Sequence, residues 1–257
     1  AVALAEVRAL VPPPFLRRDL LIEALHRIQD ARGQLAAPHL VALASLLALS
    51  VVEVFEVASF YHHFDVVKED AAGRMAAPPA LTVRVCDSLA CELAGARDLL
   101  ARLPALLGRE VRVQGVSCVG RCEAAPVALV HQHPVAPATP ERVLAAVEGG
   151  VRTETVHGHV DYAAYRAAGG YALLAECLAG ARRVDDVLDA VEQAGLRGLG
   201  GAGFASGRKW RAVRAQPAPR YLAVNLDEGE PGTFKDRHYL ERDPHRFVEG
   251  ALVAAWA

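Results

Sequence analysis

Lysine is scarce in this chain: of 28 basic residues only Lys68, Lys209 and Lys235 are lysines, and 30 acidic residues leave a net charge of −2. A chain this close to neutral lacks the basic excess that a phosphate-backbone footprint requires, so no nucleic-acid partner is expected. Long apolar runs are missing too. Leu35 to Val52 carry no charge and approach the length of a spanning helix, but Pro38, His39, Ser45 and Ser50 interrupt them. Two short buried helices, and no transmembrane segment, are the expectation. No leader is legible in the first ten residues, which carry Glu6 and Arg8. A cytoplasmic location is therefore expected, and the five cysteines are not read as a secreted disulfide framework. There is no initiator methionine, and the chain stops inside GALVAAWA, so it is expected to be part of a longer polypeptide.

What is present is a globular balance: 53% apolar and 23% charged residues over 257 positions, enough for one large domain or two ordinary ones. Residues 1–78 read as a helical bundle ending in a linker. Leu21, Leu25 and Ile28, then Leu40, Leu43 and Leu47, recur at helical spacing, with Gly33 as a stop, and residues 65–80 read as the linker. Residues 79–150 switch to alternation. Strands are expected at Leu81–Val85, Val111–Val113 and Pro126–Val130, with a helical run from Cys91 to Leu103 between the first two. That order gives a small α/β sheet, left through Pro134, Pro137 and Pro140. Residues 151–190 read as a helical linker in which Val184, Val187, Leu188 and Val191 share one face. Residues 191–257 hold a glycine-dense loop, a helix over GRKWRAVRA, and a strand YLAVN running into an acidic loop.

Cys86, Cys91, Cys118 and Cys122 are spaced C-x4-C, a gap of 26, then C-x3-C. Each pair follows a strand, and two adjacent parallel strands would bring both pairs to one end of the sheet. Four thiolates there could hold a [2Fe-2S] cluster. A structural zinc site, though usually more tightly spaced, and disulfides remain open on the pattern alone. Cys177 stands alone on a helix and is read as core.

Gly198-x-Gly200-x-x-Gly203 is formally a dinucleotide fingerprint, but a helix precedes it where the fingerprint needs a strand. What remains is a glycine-rich turn that a ligand can approach closely, followed by Lys209 at the start of a helix, a combination suited to phosphate or to a flexible linker. The stretch Asn225-Leu226-Asp227-Glu228-Gly229-Glu230 ends the expected strand with three carboxylates in four residues. Such crowding is costly unless the groups bind hydroxyls or a metal, or face water.

The helical start with VASFYHHF, then TVRVCDSLAC and GVSCVGRCEAAP, resembles the 24-kDa-type subunit of NADH dehydrogenases over about residues 15–148. That resemblance implies a thioredoxin-like [2Fe-2S] ferredoxin with Cys86, Cys91, Cys118 and Cys122 as ligands, and it makes His62 and His63 core-packing residues. GLRGLGGAGFASGRKW, NLDEGEPG, GTFKDR and DPHRFVEG together resemble the start of the 51-kDa-type flavoprotein subunit. Carried over, Gly198, Gly200, Gly201, Gly203 and Lys209 line FMN, with Lys209 near its phosphate. Asn225 and Asp227 bond the ribityl hydroxyls, Glu228 and Glu230 flank the nicotinamide of NAD(H), and Phe204 meets its adenine. Leu199 departs from the arginine of many relatives, and Ala205-Ser206 replaces Pro-Thr, losing a rigid turn while keeping a hydroxyl.

The implied fold class is α/β: a helical bundle with a thioredoxin-like [2Fe-2S] domain, then the first part of an FMN/NADH-binding domain. A [4Fe-4S] domain is expected only in a C-terminal part beyond this chain. The fusion, with Leu199 and YRAAGGYALL, resembles the β subunit of NAD-dependent molybdenum- or tungsten-containing formate dehydrogenases. This implies electron transfer from formate oxidation, on a molybdenum- or tungsten-containing catalytic α subunit with further iron–sulfur clusters, through FMN to NAD⁺. No catalytic side chain is named, because the cofactors carry the chemistry. The same modules serve NADH:quinone oxidoreductases and the diaphorase of NAD-reducing hydrogenases. A chain that only carries electrons or scaffolds assembly is the alternative of another class.

Overall fold

The structure is a computed structural model that describes residues 2–153, 158–198, 203–228 and 230–257. It divides into two compact units, one of Ala1–Thr155 with Glu228–Lys235, the other of Val156–Asp227 with Asp236–Ala257.

The first unit begins with four helices, α1 (Val2–Leu10), α2 (Leu21–Arg32), α3 (Ala37–Leu47) and α4 (Val51–Phe60). The apolar stripe of α2 is buried through Leu25 and Ile28 against Leu40, Leu43 and Val54. Ser50 starts α4 with a capping box: its hydroxyl accepts from the Glu53 N–H at 3.1 Å, and the Glu53 carboxylate accepts from the Ser50 N–H at 3.0 Å. The stretch read as a linker begins with a short strand instead. β1 (Leu35–Ala36) pairs in parallel with β2 (Val66–Val67).

A four-stranded sheet follows, ordered β4-β3-β5-β6. Its strands are β3 (Leu81–Cys86), β4 (Val111–Val116), β5 (Ala128–Val130) and β6 (His133–Val135). β3 runs parallel to β4 and antiparallel to β5. The expected helix after Cys86 is two helices, α5 (Leu89–Leu93) and α6 (Ala96–Leu107), divided where Gly95 adopts φ +98°. The prolines around β6 point to an exit loop; Pro134 is accommodated in a strand because β6 is at the sheet edge, where a missing N–H costs no ladder bond. α7 (Pro140–Glu148) packs on α6, and Leu99, Leu103 and Val143 close the core over Val83, Val85 and Val130.

In the second unit, helices α8 (Tyr162–Ala167), α9 (Ala172–Leu178), α10 (Val184–Gln193), α11 (Ser206–Arg214), α12 (Asp236–Leu240) and α13 (Pro244–Trp256) surround a small core of Cys177, Val187 and Val253. Glu249 on α13 is its polar centre. Its carboxylate accepts from the Tyr165 hydroxyl at 2.5 Å and from the N–H groups of Tyr171 and Leu174 at 2.8 and 3.3 Å. Burial alone would raise this carboxyl, but the three hydrogen bonds outweigh it and hold it below its usual range. The strand expected at YLAVN does not form. Among the described residues nothing pairs with it, and Tyr221, Leu222 and Val224 are 86%, 51% and 49% exposed. Alternation makes a strand only where a ladder partner exists. Among the described residues no helix is long and apolar enough to cross a membrane.

Candidate functional site

The parallel pairing of β3 and β4 aligns Cys86 with Val116 in register. The loops that leave these two strands therefore start side by side, and they carry all four cysteines. Cys86 closes β3 and Cys91 lies in the first turn of α5, both 1% exposed, whereas Cys118 and Cys122 stand exposed on the loop after β4. Cys86 is close enough to both Cys91 and Cys122 to act on their protonation. Cys118 Sγ and Cys122 Sγ are 3.4 Å apart, and the Gly120 N–H points at Cys118 Sγ from 3.4 Å.

Crowding sets the protonation of these thiols. Burial, then the hydrogen bond with Cys86, pushes Cys91 up to about 12. The hydrogen bond with Cys118, then burial, pushes Cys122 up to about 11. Cationic metal would reverse this balance and release the protons. Among the described residues no three His, Cys, Asp or Glu side chains surround a single metal position. The donors instead stand as two pairs of thiols, and a [2Fe-2S] rhomb takes four cysteine thiolates. The donor set fits that group.

The cysteine loop is held by a segment distant in sequence. The Phe234 N–H donates to the Val119 carbonyl at 2.9 Å, and the Phe234 ring is buried in the same core as Val85 and Cys91. Gly120, at φ +85°, lets Lys235 approach; a Cβ there would stand 3.0 Å from the Lys235 backbone nitrogen. Sequence reasoning misses both contacts, although GTFKD stands out as part of a motif. Only the fold reveals what it touches.

Of the expected flavin and nicotinamide residues, Gly200 and Gly201 lie outside the described residues. The base of the glycine loop is closed by bonds from the Gly198 N–H to the Phe204 carbonyl at 2.9 Å and from the Ser206 N–H to the Leu196 carbonyl at 2.8 Å. Gly203 adopts φ +60° with open space where a Cβ would be, and Arg197 donates to its carbonyl at 3.0 Å. α11 starts directly afterwards, with Lys209 exposed near its N-terminal end and Phe204 54% exposed. Open backbone, a helix start and an exposed ammonium fit a phosphate-bearing ligand. Asn225 forms an Asx turn, its side chain accepting from the Asp227 N–H at 3.0 Å, and both residues are exposed. Glu228 and Glu230 belong to the first unit, where the Glu228 carboxylate accepts from the Lys235 N–H and the Glu230 carbonyl accepts from Thr233. A mostly apolar cleft of about 550 Å³ in the second unit, lined by Val187, Val191, Trp210 and Val253 among others, includes none of these candidates.

Residues 12–150 match the thioredoxin-like [2Fe-2S] ferredoxin family. The chain belongs to that family. Beyond the ferredoxin domain, residues 191–257 match the Nuo51 FMN-binding domain. The chain is 53% identical over 78 residues to the mitochondrial NADH-ubiquinone oxidoreductase 51 kDa subunit of Neurospora crassa, covering 28% of this chain and 16% of that protein. It is 28% identical to the NAD-reducing hydrogenase HoxS subunit alpha of Cupriavidus necator, over 93% of this chain and 44% of that one. Among solved structures, an air-oxidized NAD⁺-reducing [NiFe]-hydrogenase shares 30% identity over 92% of this chain and 44% of its own, at a TM-score of 0.47. The chain thus spans less than half the length of each of these relatives. It joins a [2Fe-2S] ferredoxin domain to FMN-binding sequence, the cofactor modules of NADH-dehydrogenase-type electron transfer.

Proposed function

We propose that this chain is the electron-entry portion of an NAD-linked oxidoreductase, in which Cys86, Cys91, Cys118 and Cys122 hold the [2Fe-2S] cluster. The observation that carries this reading is the two cysteine pairs at one end of parallel strands, followed in the same chain by FMN-binding sequence. Bound FMN supplies exchange between single electrons and the hydride of NAD(H). The protein's part is to bind and orient. The backbone of Gly198, Gly200, Gly201 and Gly203 gives the flavin close approach, Lys209 answers its phosphate, and Asn225 and Asp227 offer acceptors for ribityl hydroxyls. Phe204 presents an exposed ring for the adenine, and Glu228 and Glu230 border the nicotinamide. On the cluster side, the Gly120 N–H points at Cys118 Sγ, where it can donate to a bound ligand sulfur.

The finer reading is the β subunit of an NAD-dependent formate dehydrogenase, working in the cytoplasm with a molybdenum- or tungsten-containing α subunit. Leu199 in the glycine loop and YRAAGGYALL support it. The diaphorase of an NAD-reducing hydrogenase is the second reading, favoured by a relative that aligns with 93% of this chain. A peripheral-arm subunit of an NADH:quinone oxidoreductase is the third, favoured by the 53% identity to a 51 kDa subunit. Metals and substrate-dependent NAD⁺ reduction, assayed on the complex purified through this chain, separate them. Molybdenum or tungsten with formate-dependent reduction supports the first. Nickel with hydrogen-dependent reduction supports the second, and NADH-dependent quinone reduction with none of these metals supports the third.

A further inference from the structure

The two faces of β3 have different surroundings. Val83 and Val85 point into the apolar core, whereas Thr82 and Arg84 face the turn after α4. There a polar cavity of about 150 Å³ is lined by Arg84, Arg112, Thr82, His63, Asp65 and Gln132, among others. Its charges are unevenly matched. Arg112 holds both oxygens of Asp65, at 2.9 and 2.5 Å, and donates to the Thr82 hydroxyl oxygen at 3.0 Å. That leaves the Asp65 carboxylate to act on Arg84 only through space. Asp30 also lines the cavity but is exposed.

Arg84 is 6% exposed, and among the described residues no carboxylate pairs with it. Among the described residues its one hydrogen bond runs from Nη2 to the His63 carbonyl at 3.1 Å, and its Nε is buried without a partner. His63 is 5% exposed, and among the described residues neither ring nitrogen has a hydrogen-bond partner. Burial, then the neighbouring Arg84, depresses His63 to about 3, so its imidazole is neutral and adds no further charge. The Arg84 guanidinium stays charged at neutral pH, as arginine does in proteins. The Thr82 hydroxyl, whose oxygen accepts from Arg112, has its proton left to donate.

Two guanidinium groups, Arg84 and Arg112, thus share one carboxylate, Asp65, which reaches Arg84 only through space, and water satisfies hydrogen bonds without neutralising the remaining charge. The cavity lies below the roughly 300–1,000 Å³ of pockets that take drug-sized ligands, too small for a nucleotide. We infer that this cavity is a binding site for a small oxyanion of phosphate size, held by Arg84 with the Thr82 hydroxyl. The groups that line it come from the turn after α4 and from β3 and β4, so the anion sits between the helical bundle and the sheet. The site lies on the face of β3 opposite Val83 and Val85, the face that Cys86 also takes two residues further on.

The test uses inorganic phosphate on the full chain. Titration calorimetry and the melting temperature are followed at constant ionic strength, with chloride as the reference anion. Wild type is expected to bind one phosphate saturably and to melt at higher temperature in phosphate than in chloride. Arg84→Met, checked for folding by circular dichroism, is expected to weaken phosphate binding by about tenfold or more, as loss of a charge-assisted contact does. Arg84→Lys, which keeps the charge, is expected to retain part of it. Absence of saturable phosphate binding in wild type overturns the inference, whatever the variants do. Equal phosphate affinity in wild type and a folded Arg84→Met also overturns it.

Discussion

Gly120 and Lys235 approach so closely that a Cβ on the glycine would stand 3.0 Å from both the backbone nitrogen and the Cβ of the lysine. Beside this contact the Phe234 N–H bonds the Val119 carbonyl, so the loop between Cys118 and Cys122 has one wall built from residues far along the chain. Gly120→Ala meets two obstacles at once: a left-handed φ of +85° and a backbone that cannot give way as a flexible side chain would. The expected cost is about 1–3 kcal/mol of stability together with loss of bound iron and sulfide. Gly73→Ala, at φ +73° with open space around it, is the control for strain alone. Iron and acid-labile sulfide analysis should show depletion in the first variant and not in the second.

Cys118→Ser and Cys177→Ser should behave oppositely. Cys118 belongs to the paired thiols on the exposed loop, and Cys177 is buried with Val187 and Val253 in the other unit. Electron paramagnetic resonance of the reduced protein should lose or reshape its [2Fe-2S] signal in Cys118→Ser. In Cys177→Ser the spectrum should be unchanged, with only a packing cost.

Lys209 carries the phosphate claim. Lys209→Ala should lower FMN affinity by about tenfold, the effect of removing one charge-assisted contact. Flavin retained through gel filtration reads the outcome, and undiminished retention would remove Lys209 from the site.

Glu249 makes the second unit acid-sensitive. Its folded pKa lies below the usual 4.5, so its stabilisation is fully present above that value and is lost as pH falls through the lowered one. Glu249→Gln should cost about 2–4 kcal/mol at neutral pH, since a charged acceptor of three hydrogen bonds becomes a neutral one. Between neutral pH and acid the variant should also lose less stability than wild type. Both tryptophans, Trp210 and Trp256, lie in this unit, so their fluorescence during urea unfolding of the full chain reports on it alone.

What could be read from the sequence was what local spacing determines. Cys86 and Cys118 each follow a strand, and the parallel pairing of β3 with β4 brings those strand ends together as the alternation implied. The helical stripe of Leu21, Leu25 and Ile28 was equally legible, because burial of one helix face leaves a period in the sequence. What failed depended on partners. YLAVN has a strand's composition but no described neighbour to pair with, and Pro134 belongs to a strand because that strand is an edge. Arg84 sits in an apolar strand as though it were solvent-facing, and only the packing of the α4 turn against β3 shows it to be buried. The contact of Phe234 with Val119 spans more than a hundred residues, and no periodicity records it.

The central claim is that the four cysteines hold a [2Fe-2S] cluster in a chain that also binds FMN. The most direct measurement is iron, acid-labile sulfide, zinc and FMN content of the anaerobically purified protein, with the electron paramagnetic resonance spectrum of the reduced sample. The account predicts about two irons and two sulfides per chain, FMN, and a spin-one-half signal that Cys118→Ser abolishes or alters. Zinc without sulfide, or an identical signal in Cys118→Ser, would contradict it.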